Sequence, residues 1–170
     1  MTSTETALEI KSALIDNYNH YAEGLDSKNW PMVRACFADE VMIDYGSISD
    51  PSGDSDVPRR TDDWLKILQG VINGFDVTRH AITNHRFTLS EQQVTCRAYL
   101  RADHIILPNP GVPIVGGEDV VTVTGEYTNS YTQIDGQWKI CRSELAVNWS
   151  SGNIALFGAA TERALALAGS

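Results

Sequence analysis

The sequence predicts an α+β fold in which helices come first and a run of antiparallel strands follows; such a sheet, if strongly curved and closed by the helices, would make a cone with a pocket inside. Three observations predict it. Apolar residues recur at helical spacing in separate segments up to Ile72, the chain from Thr78 onward is rich in β-branched and aromatic residues, and Asp135-Gly136 is a strong two-residue hairpin turn. With 170 residues and no internal repeat or linker, the chain is expected to form one domain over residues 1–170.

The first helix is expected from about Thr4 to Gly24. Ile10, Leu14, Tyr18, Tyr21 and Leu25 form its buried stripe, and Gly24 can stop it. His20 lies off that stripe and reads as a solvated histidine. Asp26 to Pro31 is a junction rich in capping residues, and a second helix then carries Trp30, Val33, Cys36 and Phe37. Val41 to Tyr45 reads as a strand with Val41, Ile43 and Tyr45 on one face. Ser47 to Arg60 is a loop, long enough to be a lid or a mobile surface segment. Thr61-Asp62-Asp63 caps a third helix whose apolar stripe is Trp64, Leu65, Leu68, Val71 and Ile72. Strands are then expected over Thr78–Phe87, Val94–Leu107, Val120–Ile134 and Trp138–Trp149, before a terminal helix from Ser151 to Leu167. The terminal helix is expected to bury Leu156, Phe157, Ala160, Ala164 and Leu167.

Charge and composition exclude several classes of function. A formal net charge of -9 provides no basic footprint for nucleic acid or for anionic lipid. No stretch is long enough to span a bilayer, and the first residues have neither the basic region nor the apolar run of a secretory signal. Cys36, Cys96 and Cys141 match no zinc or redox spacing and suit a reducing compartment, so a cytoplasmic location is expected. Neither a phosphate-binding nor a dinucleotide-binding fingerprint occurs, and no His or carboxylate spacing suits a metal. No cofactor and no metal are expected, and the partner is a small molecule.

Proton chemistry is the function left. An imidazole exchanges protons near neutrality, which draws attention to His80 in the strand Thr78–Phe87. Strand alternation puts His80, Ile82 and Asn84 on one face and Ala81, Thr83, His85 and Phe87 on the other. His80 is either a general base in an apolar pocket or a structural histidine with both nitrogens satisfied. Asp26 is either a helix cap or the carboxylate that orients a histidine. His104, the ionisable residue on the apolar face Val94, Cys96, Ala98, Leu100 and Ala102, is either a satisfied core group or a pocket group. Tyr45, on an apolar face, needs a hydroxyl partner wherever it is buried.

The stretches Gly24–Trp30, Phe37–Val41, Ile43–Tyr45, Thr78–His80, Leu100–His104, Tyr127–Tyr131 and Ile134–Lys139, in this order, resemble the SnoaL-like branch of the nuclear transport factor 2-like superfamily. Within it they look most similar to the scytalone dehydratases and the hexachlorocyclohexane dehydrochlorinases. The resemblance implies a cone-shaped barrel in which Asp26, at the first helix–helix junction, pairs with His80 across the pocket. It further implies that Tyr45 helps to hold water or polarise a carbonyl and that His104 is a second pocket histidine. Asn84 takes a positioning role and, with Leu25, Tyr127 and Tyr21, makes up the expected substrate-binding set. Departures accompany the likeness: Leu25 replaces a second water-holding tyrosine, Gly125 and Tyr127 replace small polar residues, and Ser143 stands where the dehydrochlorinases carry an arginine.

These readings lead to a cofactor-independent lyase, of dehydratase type, acting on a small, largely apolar cyclic molecule. His80 would remove a proton with support from Asp26, while Tyr45 and His104 assist the leaving group or carbonyl. An isomerase or cyclase using the same base is the alternative enzyme, and a non-catalytic small-molecule-binding or subunit-like module is the alternative of another class. A homotrimer is expected, with a dimer as its alternative. Pocket shape is expected to depend on Trp30, Phe37, Trp64, Trp149 and the terminal helix.

Overall fold

A computed structural model describes residues 6–46 and 55–169. Four helices, α1 (Ala7–Asp26), α2 (Trp30–Ala35), α3 (Thr61–Ile72) and α4 (Leu156–Ala168), surround one face of a six-stranded sheet. Its strands are β1 (Phe37–Asp44), β2 (Arg59–Arg60), β3 (Val77–Leu89), β4 (Val94–Ile105), β5 (Val120–Ile134) and β6 (Gln137–Gly152), in spatial order β2-β1-β6-β5-β4-β3. The sheet curves but does not close into a barrel, because β2 and β3 remain as its edges. Among the described residues no helix is long and apolar enough to cross a membrane.

Helix α1 buries Leu14, Tyr18, Tyr21 and Leu25, as its spacing predicts. It starts at a capping box, Thr6 with Glu9, and the expected start at Thr4 lies outside the described residues. Gly24 does not stop it. A Cβ there would sit 2.7 Å from Val33 Cγ2, so this glycine permits close approach of α2 instead. Helix α2 ends before Phe37 because the Cys36 carbonyl accepts from Ile140 N at 2.9 Å, which draws the chain into the sheet. Strand β1 then runs parallel to β6, the one departure from the antiparallel expectation.

The loop expected over Ser47–Arg60 falls mostly outside the described residues, and its last two residues form β2 against β1. Thr61 is not a cap: its hydroxyl donates to Ala38 O at 2.5 Å, and α3 has no side-chain cap. At the other end of the chain β6 continues past Trp149 to Gly152, where φ of +84° turns the backbone. Helix α4 therefore starts only at Leu156, and Leu167 is exposed rather than buried. The Asp135-Gly136 hairpin forms with φ of +50° and +76°.

Strand β3 departs from simple alternation. Between the pairs Thr83↔Tyr99 and Arg86↔Arg97, β3 advances by one residue more than β4. Asn84 sits in this bulge with φ of +57°. Beyond it the facing inverts, so His85 and Phe87 turn to the same inner side as His80 while Asn84 is exposed. The expected faces hold before the bulge and fail at it.

Candidate active site

The inner face of the sheet, α1, α3 and α4 enclose a cavity of about 320 Å³. Its wall is mostly apolar, from residues such as Leu25, Trp64, Leu68, Leu100 and Phe157, and its polar groups are few: His80, His104, Tyr21, Tyr45, Tyr127 and Thr161. Apolar walls with a few convergent polar groups are the usual make-up of a small-molecule site. Of the expected substrate-binding set, Leu25, Tyr21 and Tyr127 line the cavity, whereas Asn84 lies outside it. Of the residues expected to shape the space, Trp64 lines it, as does the terminal helix through Phe157, whereas Phe37 is not in its wall and packs edge-on against Tyr21 with ring centroids 5.6 Å apart. Trp30 instead donates to Asn73 Oδ1 at 3.1 Å, and Trp149 stands 59% exposed beside Tyr99 on the outer face of the sheet.

Asp26 is the last residue of α1, and its carboxylate is turned to β3 rather than to α2, which is capped by Asn29 accepting from Met32 N at 3.2 Å. Oδ1 faces His80 Nδ1 at 2.7 Å and accepts from Thr78 Oγ1 at 3.0 Å, while Oδ2 accepts from the His80 backbone N–H at 3.0 Å. The side chains of His80 and Asp26 are only 5% and 12% exposed. Burial pushes the Asp26 carboxyl up, but hydrogen bonds from the His80 side chain and backbone, its charge and Thr78 outweigh that and hold it below the usual carboxylate range. A carboxylate on Nδ1 fixes the tautomer with the proton there and leaves Nε2 as the lone-pair nitrogen, with His80 in the cavity wall. The turn that delivers Asp26 is itself pinned, since Lys28, at φ of +55°, donates from Nζ to Phe75 O at 2.6 Å.

His104 stacks edge-on to His80 with ring centroids 5.4 Å apart and lies between Phe75 and Phe157, each at 5.1 Å. Burial and the nearby His80 push it down to about 4, so it is neutral at physiological pH. Its Nδ1 is buried with no hydrogen-bond partner among the described residues, so the neutral ring keeps hydrogen-bonding capacity for a ligand. It can donate a hydrogen bond but does not hold a spare proton near neutrality.

Tyr45 is joined to Ser143 at 2.9 Å, Ser143 donates to Asn129 Oδ1 at 2.7 Å, and the hydroxyls of Tyr21 and Tyr45 are 3.3 Å apart. The Tyr127 ring stands 5.8 Å from that of Tyr45 and 6.1 Å from that of Tyr21. Burial pushes all three phenols up, so they stay protonated. The cysteines offer no nucleophile: burial pushes the thiols of Cys36 and Cys96 up to about 12 and about 11. Among the described residues no group of three or more His, Cys, Asp or Glu side chains is placed to hold a metal ion.

Sequence reasoning assigned no role to Thr78 or Asn129, and none to Ser143 beyond its place in the resemblance. The signal for Thr78 was present, since it shares strand parity with His80. None existed for the Asn129–Ser143 pair, which depends on the register of β5 against β6.

A family model, the SnoaL-like domain, matches residues 6–144. The chain belongs to the SnoaL-like domain family. Solved structures share the fold of this SnoaL-like domain. A protein from Kribbella flavida is 21% identical, with a TM-score of 0.68 over 94% of this chain and 99% of that one. A scytalone dehydratase-like protein from Novosphingobium aromaticivorans is 20% identical, with a TM-score of 0.66 over 86% and 93%. A type 3 hexachlorocyclohexane dehydrochlorinase from Novosphingobium barchaimii is 16% identical, with a TM-score of 0.67 over 86% and 92%. At these identities the likeness is one of fold. No curated protein sequence matches this SnoaL-like domain.

Proposed function

We propose that the cavity removes a proton from carbon, in a cofactor-independent elimination of dehydratase type on a small, largely apolar, cyclic molecule. The observation that carries this reading is the Asp26–His80 pair, 2.7 Å apart, with His80 in a mostly apolar cavity wall and Asp26 behind it. His80 Nε2 takes the proton, and the imidazolium that forms lies against the Asp26 carboxylate, which stays ionised. Asp26 is the positioning residue. It fixes the tautomer and compensates the new charge where little water screens it. The carbon must bear an electron-withdrawing neighbour, which receives the electron pair before the leaving group departs.

The same base serves a second reading, an isomerase or cyclase. His104 is neutral above about pH 4, so the proton that His80 takes up is the one the site has to return. Returned to a leaving hydroxyl, it completes a dehydration; returned to another carbon, it completes an isomerisation.

Exchange of carbon-bound protons in heavy water tests both readings at once. Wild-type protein incubated with a panel of cyclic ketones and β-hydroxyketones is expected to catalyse exchange visible by proton NMR. His80→Ala is expected to lose about 10²–10⁴-fold of that rate while ligand affinity is kept. An undiminished rate in His80→Ala ends the base assignment. Tight binding with no exchange above buffer by the wild type supports a binding module instead.

We also propose that copies of the chain assemble as a homotrimer, with a dimer as the alternative, through the outer sheet face where Tyr99 is 48% exposed. Light scattering that gives a monomer at micromolar concentration overturns both.

A further inference from the structure

The tyrosine cluster has a direction, which follows from counting protons. Asn129 Oδ1 has none to give, so the Ser143 hydroxyl spends its single proton on it at 2.7 Å. Ser143 Oγ can then only accept from Tyr45, 2.9 Å away. The Tyr45 proton therefore points toward Ser143, which is not part of the cavity wall, and away from any ligand. What Tyr45 offers its neighbours is an acceptor oxygen.

Tyr21 and Tyr127 are placed differently. The 3.3 Å between the Tyr21 and Tyr45 hydroxyls is well beyond the usual O–H···O length of about 2.7–2.8 Å, so that contact is weak. The Tyr127 hydroxyl adjoins the same two phenols. Both residues line the cavity, and the Tyr21–Tyr45 contact that holds the Tyr21 hydroxyl is a long one. Each can re-aim at a ligand oxygen at small cost, inside walls where a hydrogen bond is little screened.

We propose that Tyr21 and Tyr127, rather than Tyr45, are the donors to a ligand oxygen, and that Tyr45 is a positioning residue locked to Ser143. The catalytic half of this inference rests on His80 being the base. In the step, the carbon-bound proton goes to His80 Nε2 and the C–H electron pair becomes a C=C bond. The carbonyl π pair moves to oxygen, and the enolate accepts from the two phenols. Its collapse then expels a leaving group or takes the proton back on carbon.

The test uses 4-nitrophenol, whose coloured phenolate carries the anionic oxygen of an enolate and needs no turnover. Wild-type protein is expected to bind the phenolate. Tyr21→Phe and Tyr127→Phe are each expected to weaken it about tenfold or more, because each removes a hydrogen bond to a charged group. Ser143→Ala frees the Tyr45 proton to turn inward, so affinity is expected to hold or rise, and Tyr45→Phe is expected to stay within about threefold of wild type. The proposal is overturned if wild type does not bind the phenolate, or if Tyr45→Phe or Ser143→Ala abolishes binding while the Tyr21 and Tyr127 variants bind normally. Should a Phe variant not fold, the wild-type complex decides: two downfield hydrogen-bonded protons in its NMR spectrum support the phenol pair, and fewer overturn it. His80→Gln separates the two claims. Phenolate binding that survives in a variant without exchange activity supports the phenol pair independently of the base, and loss of exchange alone bears only on the mechanism.

Discussion

Asp26 satisfies three donors on β3 with two oxygens, and this sets what its replacement does. In Asp26→Asn one carboxylate oxygen becomes an amide that donates where Nδ1–H or the His80 backbone N–H must also donate. The imidazole loses its orienting acceptor. Proton-exchange activity is expected to fall about 10²-fold or more, with the fold retained by circular dichroism. His104 supports a prediction on stability. Its folded-state value is about 4, against about 6.5 for an unperturbed imidazole. Between those values the unfolded chain binds the proton and the folded chain does not, so stability is fully present above about pH 6.5 and falls as pH drops toward 4. The loss over that window is on the order of 3 kcal/mol. Below it, Asp26, whose carboxyl is held low when folded, adds a further loss as it protonates. Urea titrations across pH check the sign, and His104→Leu is expected to flatten the slope between pH 6.5 and 4.

At the scale of elements, α4 closes the cavity and depends on how tightly the end of α3 receives it. A Cβ on Gly74 would lie 1.8 Å from the Ala160 carbonyl oxygen, and a forked pair from Arg163 to Asp76, at 2.8 and 3.0 Å, fixes the same junction. Gly74→Ala must push α4 outward. It is expected to destabilise the protein by about 1–3 kcal/mol, read as a lower urea midpoint, and to loosen ligand binding. Local elements were legible in the chain because local rules make them: the α1 stripe, the Asp135-Gly136 turn and the inner face of β4 are all matters of spacing and turn chemistry. Features fixed by tertiary contact were not. Nothing in Thr83-Asn84-His85 announces an extra residue, since Asn tolerates positive φ without requiring it. Nor can spacing show that the Cys36 carbonyl is taken by β6 and ends α2 early.

For the whole molecule, the site combines the two kinds of legibility. Asp26 and His80 were readable as candidates because the chemistry of the two residue types is distinctive, and the family likeness supplied their pairing. The cavity that gives the pair meaning is a product of sheet curvature, of Gly125 approaching the Ala146 carbonyl so closely that a Cβ would stand 2.4 Å away, and of α4 capping the space. No local pattern encodes these. The same reasoning accounts for Ser143, whose partners Tyr45 and Asn129 come from two other strands or their ends.

The parallel pairing of β1 with β6 has a consequence for synthesis. Phe37 finds its partner Ile140, and Asp44 finds Glu144, only after nearly all the intervening chain has been made. A nascent chain leaving the ribosome therefore holds β1 with no neighbour beyond the two-residue β2, its β6 side open to water and to other chains, until the last strand emerges. Early helices and the β3–β4 hairpin can form during translation, but the hollow they surround comes into being late and all at once.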